Sequence, residues 1–212
     1  MQISKIIATS LPEVKIIQFS RFLDERGYFT EQFRKSDLLQ NSAIPFLNKI
    51  KIVQANESFS KRKVIRGLHF QWNPFMGKLV RVITGHMLDA FLDLRKGSPT
   101  FGKIGLFELK TENQAKTTEW IWLPPGFAHG CCFLAPTYIE YFCSGQYAPN
   151  SEAGISPLAQ DLDWSLCPQD FKAQFLKIAQ TTELMTEKDR QGLSLTEWKN
   201  DPRSENFIFG KC

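Results

Sequence analysis

Short runs of β-branched and aromatic residues alternating with polar ones recur along the chain. They lie at 14–19, 28–33, 50–56, 64–70, 79–84, 87–94, 104–109, 119–123 and 138–142 and predict nine strands. Turn-formers such as Glu25-Arg26-Gly27, Gly97-Ser98-Pro99 and Pro124-Pro125-Gly126 separate many of them. Helical spacing is scarce. Residues 36–40 suffice for one turn, and 169–180 place Phe171, Phe175, Ile178 and Ala179 at three- and four-residue intervals, an amphipathic helix suited to lying on a sheet. Many short strands joined by compact turns predict a mainly β fold, a jelly-roll sandwich or barrel with a few short C-terminal helices. Residues 1–192 read as a single domain without internal repeats. Residues 193–212, mixed and polar, read as a C-terminal extension that packs as an appendage or stays loose.

Composition agrees with a globular domain. Of 212 residues, 42% are hydrophobic and 23% charged, far from a disordered chain. Eighteen phenylalanines and five tryptophans favour packing between sheets. Lys and Arg exceed Asp and Glu by 26 − 22 = +4, too small and scattered an excess for a nucleic-acid coat but compatible with an anionic small molecule. No run approaches the ~18 apolar residues of a membrane span. The opening MQISKIIATSLPEVK lacks the pattern of a secretory signal, so a cytoplasmic location is expected. Five cysteines, two of them adjacent, make a poor disulfide framework. Reduced thiols are expected, with Cys131, Cys132 and Cys143 in strand core. Neither CxxC nor a Cys/His zinc pattern occurs.

Three histidines, His69, His86 and His129, limit the possible chemistry. No H-x-H pair surrounds His69, so the converging ligand set of a metal-dependent barrel is missing and no metal is expected. His69 lies in Val64–Gln71, where alternation sets Arg66 and Leu68 opposite Gly67 and His69 unless a bulge at Gly67 re-aims them. Two roles stay open for it: a core imidazole bonded to a carbonyl, or a general base. His129 falls at a glycine-flanked turn, a common place for function. Tyr138 and Tyr141 should face opposite sides of one strand. Lys78, at a strand start, is either solvated or the partner of an oxyanion or phosphate. Arg26, Arg66 and Lys78 are candidates for an anionic group.

Taken together and in order, the stretches FLDERGYFTEQF (22–33), QANES (54–58), VIRGLHFQ (64–71), KLVRV (78–82), DAFLDLRKGSPTFG (89–102), WLPPGFAHG (122–130), YFCSGQYAP (141–149), SEAGI (151–155) and LMTEKD (184–189) resemble the dTDP-4-dehydrorhamnose 3,5-epimerase family. The resemblance implies a cupin-type jelly roll and a homodimer that shares its N-terminal strands. The activity it implies is the epimerisation of a nucleotide-linked 4-keto-6-deoxyhexose with no cofactor. His69 would be the base and Asp189 its partner. Tyr141 would return the proton on the opposite sugar face, and Lys78 would face the keto oxygen. Phe22, Arg26, Glu31, Gln54, Asn56, Arg66 and His129 would bind sugar and diphosphate, with Asp89 behind them. Two alternatives stand beside this reading. One is a single-position epimerase or ketoisomerase of another nucleotide sugar; the other is a sugar-binding cupin without turnover.

Overall fold

The computed structural model describes residues 2–112 and 115–212. In chain order its elements are β1 (Ile3–Ala8), β2 (Lys15–Ser20), β3 (Phe22–Asp24), β4 (Gly27–Phe29), α1 (Lys35–Gln40), β5 (Gln54–Ser60), β6 (Ile65–Gln71), β7 (Lys78–Thr84), β8 (His86–Asp93), β9 (Ile104–Lys110), β10 (Thr117–Leu123), β11 (Phe127–Phe133), β12 (Thr137–Cys143), β13 (Glu152–Gly154), α2 (Gln169–Thr181), α3 (Glu187–Arg190) and α4 (Leu195–Asn200). A six-stranded sheet, β1-β2-β10-β7-β12-β5, faces a five-stranded sheet, β13-β6-β11-β8-β9, and β3 and β4 form a separate hairpin. Every strand pairing within these sheets is antiparallel.

The period of two along β8 shows how the layers are made. Met87 and Phe91 point between the sheets, while Leu88, Ala90 and Leu92 point away into a second core beneath α2. Between the sheets they meet Val80, Val82, Ile121 and Ile139 of the facing layer. Phe175 and Ala179 of α2 close the outer core, the face its spacing predicts. Asp93 staples the Asp93–Thr100 turn. Its buried carboxylate accepts from Arg95 Nε at 2.9 Å, Ser98 Oγ at 2.6 Å and Thr100 Oγ1 at 2.7 Å.

Seven of the nine predicted strands coincide within two residues with β2, β6, β7, β8, β9, β10 and β12. Two need correction. The 50–56 run is displaced to Gln54–Ser60, because the apolar Ile50 and Ile52 pack as loop residues while the strand carries the polar QANESFS. The 28–33 run keeps only Gly27–Phe29 in a strand. His129 lies not at a turn but in the middle of β11, beyond the Pro124–Gly126 turn. All seven residues of β11 are buried, so packing on both faces outweighs the poor strand propensity of its glycine.

The C-terminal segment is integral to the core. Trp198 and Phe207 are both fully buried, and their rings meet Phe70 at 4.6 and 5.4 Å between centroids. Lys96 N donates to Phe207 O at 2.7 Å, tying the segment to the barrel. No helix among the described residues is long and apolar enough to cross a membrane. Trp198→Ala should cost about 3–5 kcal/mol in chemical denaturation; a loss below about 1 kcal/mol would mean that residues 193–212 are only loosely attached.

Candidate active site

One close approach shapes the site. Gly67 in β6 adopts φ +117°, and a Cβ there would stand 2.5 Å from Gly130 Cα and 2.7 Å from His129 O of β11. A Cβ at Gly130 would meet Leu68 and Arg66 O at 2.7 and 2.8 Å. Only two glycines permit strands this close. Here His69 pairs with His129, but Arg66 pairs with Cys131, so three steps on β6 span two on β11. That extra residue is a bulge. It turns Arg66 and His69 to the same side, with Leu68 left in the outer core.

The side they reach is a cavity of about 370 Å³ lined by Gln54, Asn56, His69, Lys78, His129 and Tyr141, together with Gln71, Met76, Cys143, Tyr147 and Glu152. A smaller chamber of about 120 Å³ shares His69, Lys78, His129 and Tyr141 and adds Arg66 and Cys131. The five-stranded sheet contributes His69 and His129, and the six-stranded sheet contributes Lys78 and Tyr141. Alternation along β12 sends Tyr141 inward and Tyr138 outward, where its ring packs at 4.7 Å on Phe59.

His69 Nε2 lies 2.6 Å from Asp189 Oδ1. Asp189 is held at α3, whose N-cap Thr186 accepts from the Asp189 amide at 3.2 Å. Burial pushes the Asp189 carboxyl up, but the His69 hydrogen bond and charge, helped by Thr186 and Gly67 N–H, outweigh it and hold the group below the ordinary value. A second pair stands alongside: His129 Nε2 is 2.8 Å from Asp89 Oδ2, with both residues buried. Burial lowers the His129 imidazole against the opposing pull of Asp89. Desolvation also lowers the Lys78 ammonium, which neighbouring Cys143, Cys131 and Asp89 only partly offset. Burial raises the Tyr141 phenol, keeping it protonated as a donor. Arg66 is steadied by Nε donation to Ser60 Oγ at 3.0 Å.

Phe22, Arg26 and Glu31 lie outside this cavity. Phe22 stacks on Phe29 in the β3–β4 hairpin, Arg26 pairs with Asp24 at 2.5 Å, and Glu31 pairs with Arg34 at 2.6 Å. Several lining residues escaped the sequence reading. Gln71 and Cys143 sit two positions after His69 and Tyr141, so strand alternation alone would have found them. Glu152 would not be found that way, since β13 reaches the cavity only through its pairing with β6. Glu152 accepts from Tyr147 Oη at 2.9 Å and from Lys188 Nζ at 2.5 Å, closing one side of the mouth.

A family model described as dTDP-4-dehydrorhamnose 3,5-epimerase matches residues 8–197. The protein of that name from Methanothermobacter thermautotrophicus is 40% identical over 97% of this chain and 97% of its own length. Its namesake from Neisseria gonorrhoeae is 37% identical over 98% of this chain, which spans 57% of that protein. A solved structure described as dTDP-6-deoxy-D-glucose-3,5-epimerase from Legionella pneumophila, in complex with dTDP-4-keto-L-rhamnose, aligns with a TM-score of 0.76 at 34% identity. The alignment covers 96% of this chain and 97% of that one.

Because the folded Asp189 carboxyl titrates below its unfolded value of 3.8, its contribution is complete well above that pH and is lost as the pH falls through the folded value. Asp189→Asn should therefore lower stability by roughly 1–3 kcal/mol near neutrality, and the gap from wild type should close under acid. A gap that stays constant from about pH 6 to about pH 3 would contradict the depressed titration.

Proposed function

The chain belongs to the dTDP-4-dehydrorhamnose 3,5-epimerase family, and from that premise we propose that it epimerises a nucleotide-linked 4-keto-6-deoxyhexose of the dTDP-4-dehydro-6-deoxyglucose type. The observation that carries the reading is the placement of His69 and Tyr141 on opposite sheets with one cavity between them. Inverting a carbon needs one group that takes a proton and another that returns one from the far side. His69 takes the proton from a carbon beside the ketone, and the bonding electrons move into an enolate. Tyr141 then delivers its phenolic proton to the opposite face. Solvent restores the Tyr141 proton and removes the one on His69, so atoms and charge balance with no change of oxidation state.

The carbon acid is weak until its carbonyl can hold negative charge, so the oxygen needs a cation or strong donors. Lys78 supplies the charge, and its lowered pKa makes its proton readier to be shared with an oxyanion. The buried His129–Asp89 pair offers a fixed neighbouring dipole that needs no reorganisation as charge develops. A general base contributes about 10²–10⁴-fold, so the larger share of the rate enhancement falls to positioning and charge. Gln54, Asn56 and Arg66 line the same space and suit the sugar and the diphosphate.

Phe22, Arg26 and Glu31 fit the same reading when a second copy is added. The β3–β4 hairpin exposes Phe22, Leu23, Tyr28 and Phe29, an apolar cluster of the kind that marks an interface. A homodimer that exchanges this hairpin would bring Arg26 and Glu31 to the neighbouring cavity. The reaction belongs to cytoplasmic sugar-nucleotide chemistry.

Incubation with dTDP-4-keto-6-deoxyglucose in D₂O, with deuterium read at each carbon by NMR, tests the chemistry. Wild type should label C3 and C5, and label at one carbon alone would indicate a single-position enzyme. His69→Ala should abolish exchange, whereas Tyr141→Phe should spare exchange more than inversion; equal loss of both by Tyr141→Phe would remove the tyrosine as donor. Lys78→Ala should lower kcat about 100- to 1,000-fold with little effect on nucleotide affinity, and the opposite split would recast Lys78 as a phosphate contact. Mixing inactive Arg26→Ala with inactive His69→Ala protein should restore activity at about a quarter of the sites if hairpins are exchanged. No recovery would refute the shared site.

A further inference from the structure

Two residues lining the smaller chamber, His129 and Cys131, stand against the fully buried Asp89, and the three have the chemistry of metal ligands. The period of two along β11 puts His129 and Cys131 on one face, and β8 sets Asp89 directly opposite Cys131. One ligand atom from each lies within 4.8 Å of the other two. Asp89, His129 and Cys131 are 0%, 8% and 4% exposed. His129 Nε2 is 2.8 Å from Asp89 Oδ2 and 3.7 Å from Cys131 Sγ. A tetrahedral centre with Zn–N near 2.0 Å and Zn–S near 2.3 Å has an N···S edge of about 3.5 Å and an N···O edge of about 3.3 Å. The thiol is thus already at ligand spacing, and the imidazole and carboxylate need to part by only about half an ångström. A second observation is independent of that spacing. Asp89 Oδ1 is buried without a hydrogen-bond partner among the described residues, which leaves the carboxylate with unused acceptor capacity in a water-poor place.

We propose that Asp89, His129 and Cys131 form a binding site for a thiophilic divalent cation of the Zn²⁺ class, and that its occupancy inhibits the epimerase. One nitrogen, one oxygen and one sulfur donor suit zinc, cobalt(II) or cadmium rather than magnesium or calcium, which take oxygen ligands. Binding draws one proton off the Cys131 thiol into solvent. The neutral His129 gives up its hydrogen bond to Asp89, its ring proton passing from Nε2 to Nδ1 through solvent, and offers the freed Nε2 lone pair to the ion. Two anionic ligands then cancel the charge of the ion. Burial holds the free Cys131 thiol well above its ordinary pKa, so only a bound cation calls out the thiolate. The ion stands in the chamber that Lys78 also lines, so it competes with the Lys78 ammonium for Asp89. It also breaks the fixed His129–Asp89 hydrogen bond beside the cavity. Inhibition presupposes the epimerase activity proposed above, whereas cation binding does not.

Titration of the purified protein with Co²⁺ reads binding without turnover. One equivalent per chain should produce visible bands of tetrahedral cobalt together with a near-ultraviolet thiolate-to-cobalt band. Zn²⁺ should displace the cobalt and inhibit turnover, and a chelator should restore it. Cys131→Ala should lose the thiolate band and weaken binding by more than about tenfold, whereas Cys143→Ala, also lining the cavity, should keep both. Cys131→Ser serves the same end if the alanine variant does not fold. Absence of stoichiometric Co²⁺ binding, a thiolate band that survives in Cys131→Ala or Cys131→Ser, or a band lost only in Cys143→Ala would overturn the site. Binding as described with undiminished turnover would overturn the inhibition alone.

Discussion

The active cavity exists because two strands touch where neither has a side chain. Gly67 and Gly130 let β6 and β11 approach more closely than any Cβ permits, and the extra residue this forces into β6 decides which way Arg66 and His69 point. A regular ladder would send one of them into the outer core beside Leu68. The cationic and basic groups of the five-stranded sheet therefore share a face only at the cost of a locally irregular pairing. The facing sheet needs no such device, since Lys78 and Tyr141 reach the cavity by ordinary alternation along β7 and β12.

Electrostatics then separates the roles of groups that are chemically alike. Two histidines line one chamber, each backed by a buried aspartate. His69 is one-third exposed through the cavity, with its carboxylate behind it, whereas His129 shows only a small edge to the cavity and Asp89 is fully buried. The first pair is open to the cavity and so within reach of a ligand and of solvent. The second is fixed and dry, suited to holding a dipole in place. Burial shifts Lys78 and Tyr141 in opposite senses on the pH scale, yet both shifts favour the neutral form.

Much of this was legible in the order of residues, because hydrophobic alternation in strands such as β7, β8 and β9 is set by two buried faces of ordinary apolar side chains. The pattern is silent where a strand's inward face is polar. In β5, Gln54, Asn56 and Ser58 line the site and so erase the pattern that would mark a strand. β11 failed for a related reason, since a glycine and a histidine sit at the close approach and disguise seven buried residues as a turn. The conditional bulge at Gly67 could be named from the sequence but not decided there, because its cause lies across the sheet at Gly130. His129-Gly130-Cys131 carried no zinc signature on its own; only the cross-strand neighbour Asp89 completes a ligand set.

The docking of the last elements carries a consequence for biosynthesis. Asp189, the carboxylate that holds the imidazole of β6, follows every strand of both sheets in the chain. Its helix is backed by Leu193 bridging to Ile155 and by Trp198 inserted beneath Phe70. The last part of the chain to be synthesised thus completes the hydrogen bond that fixes the His69 ring.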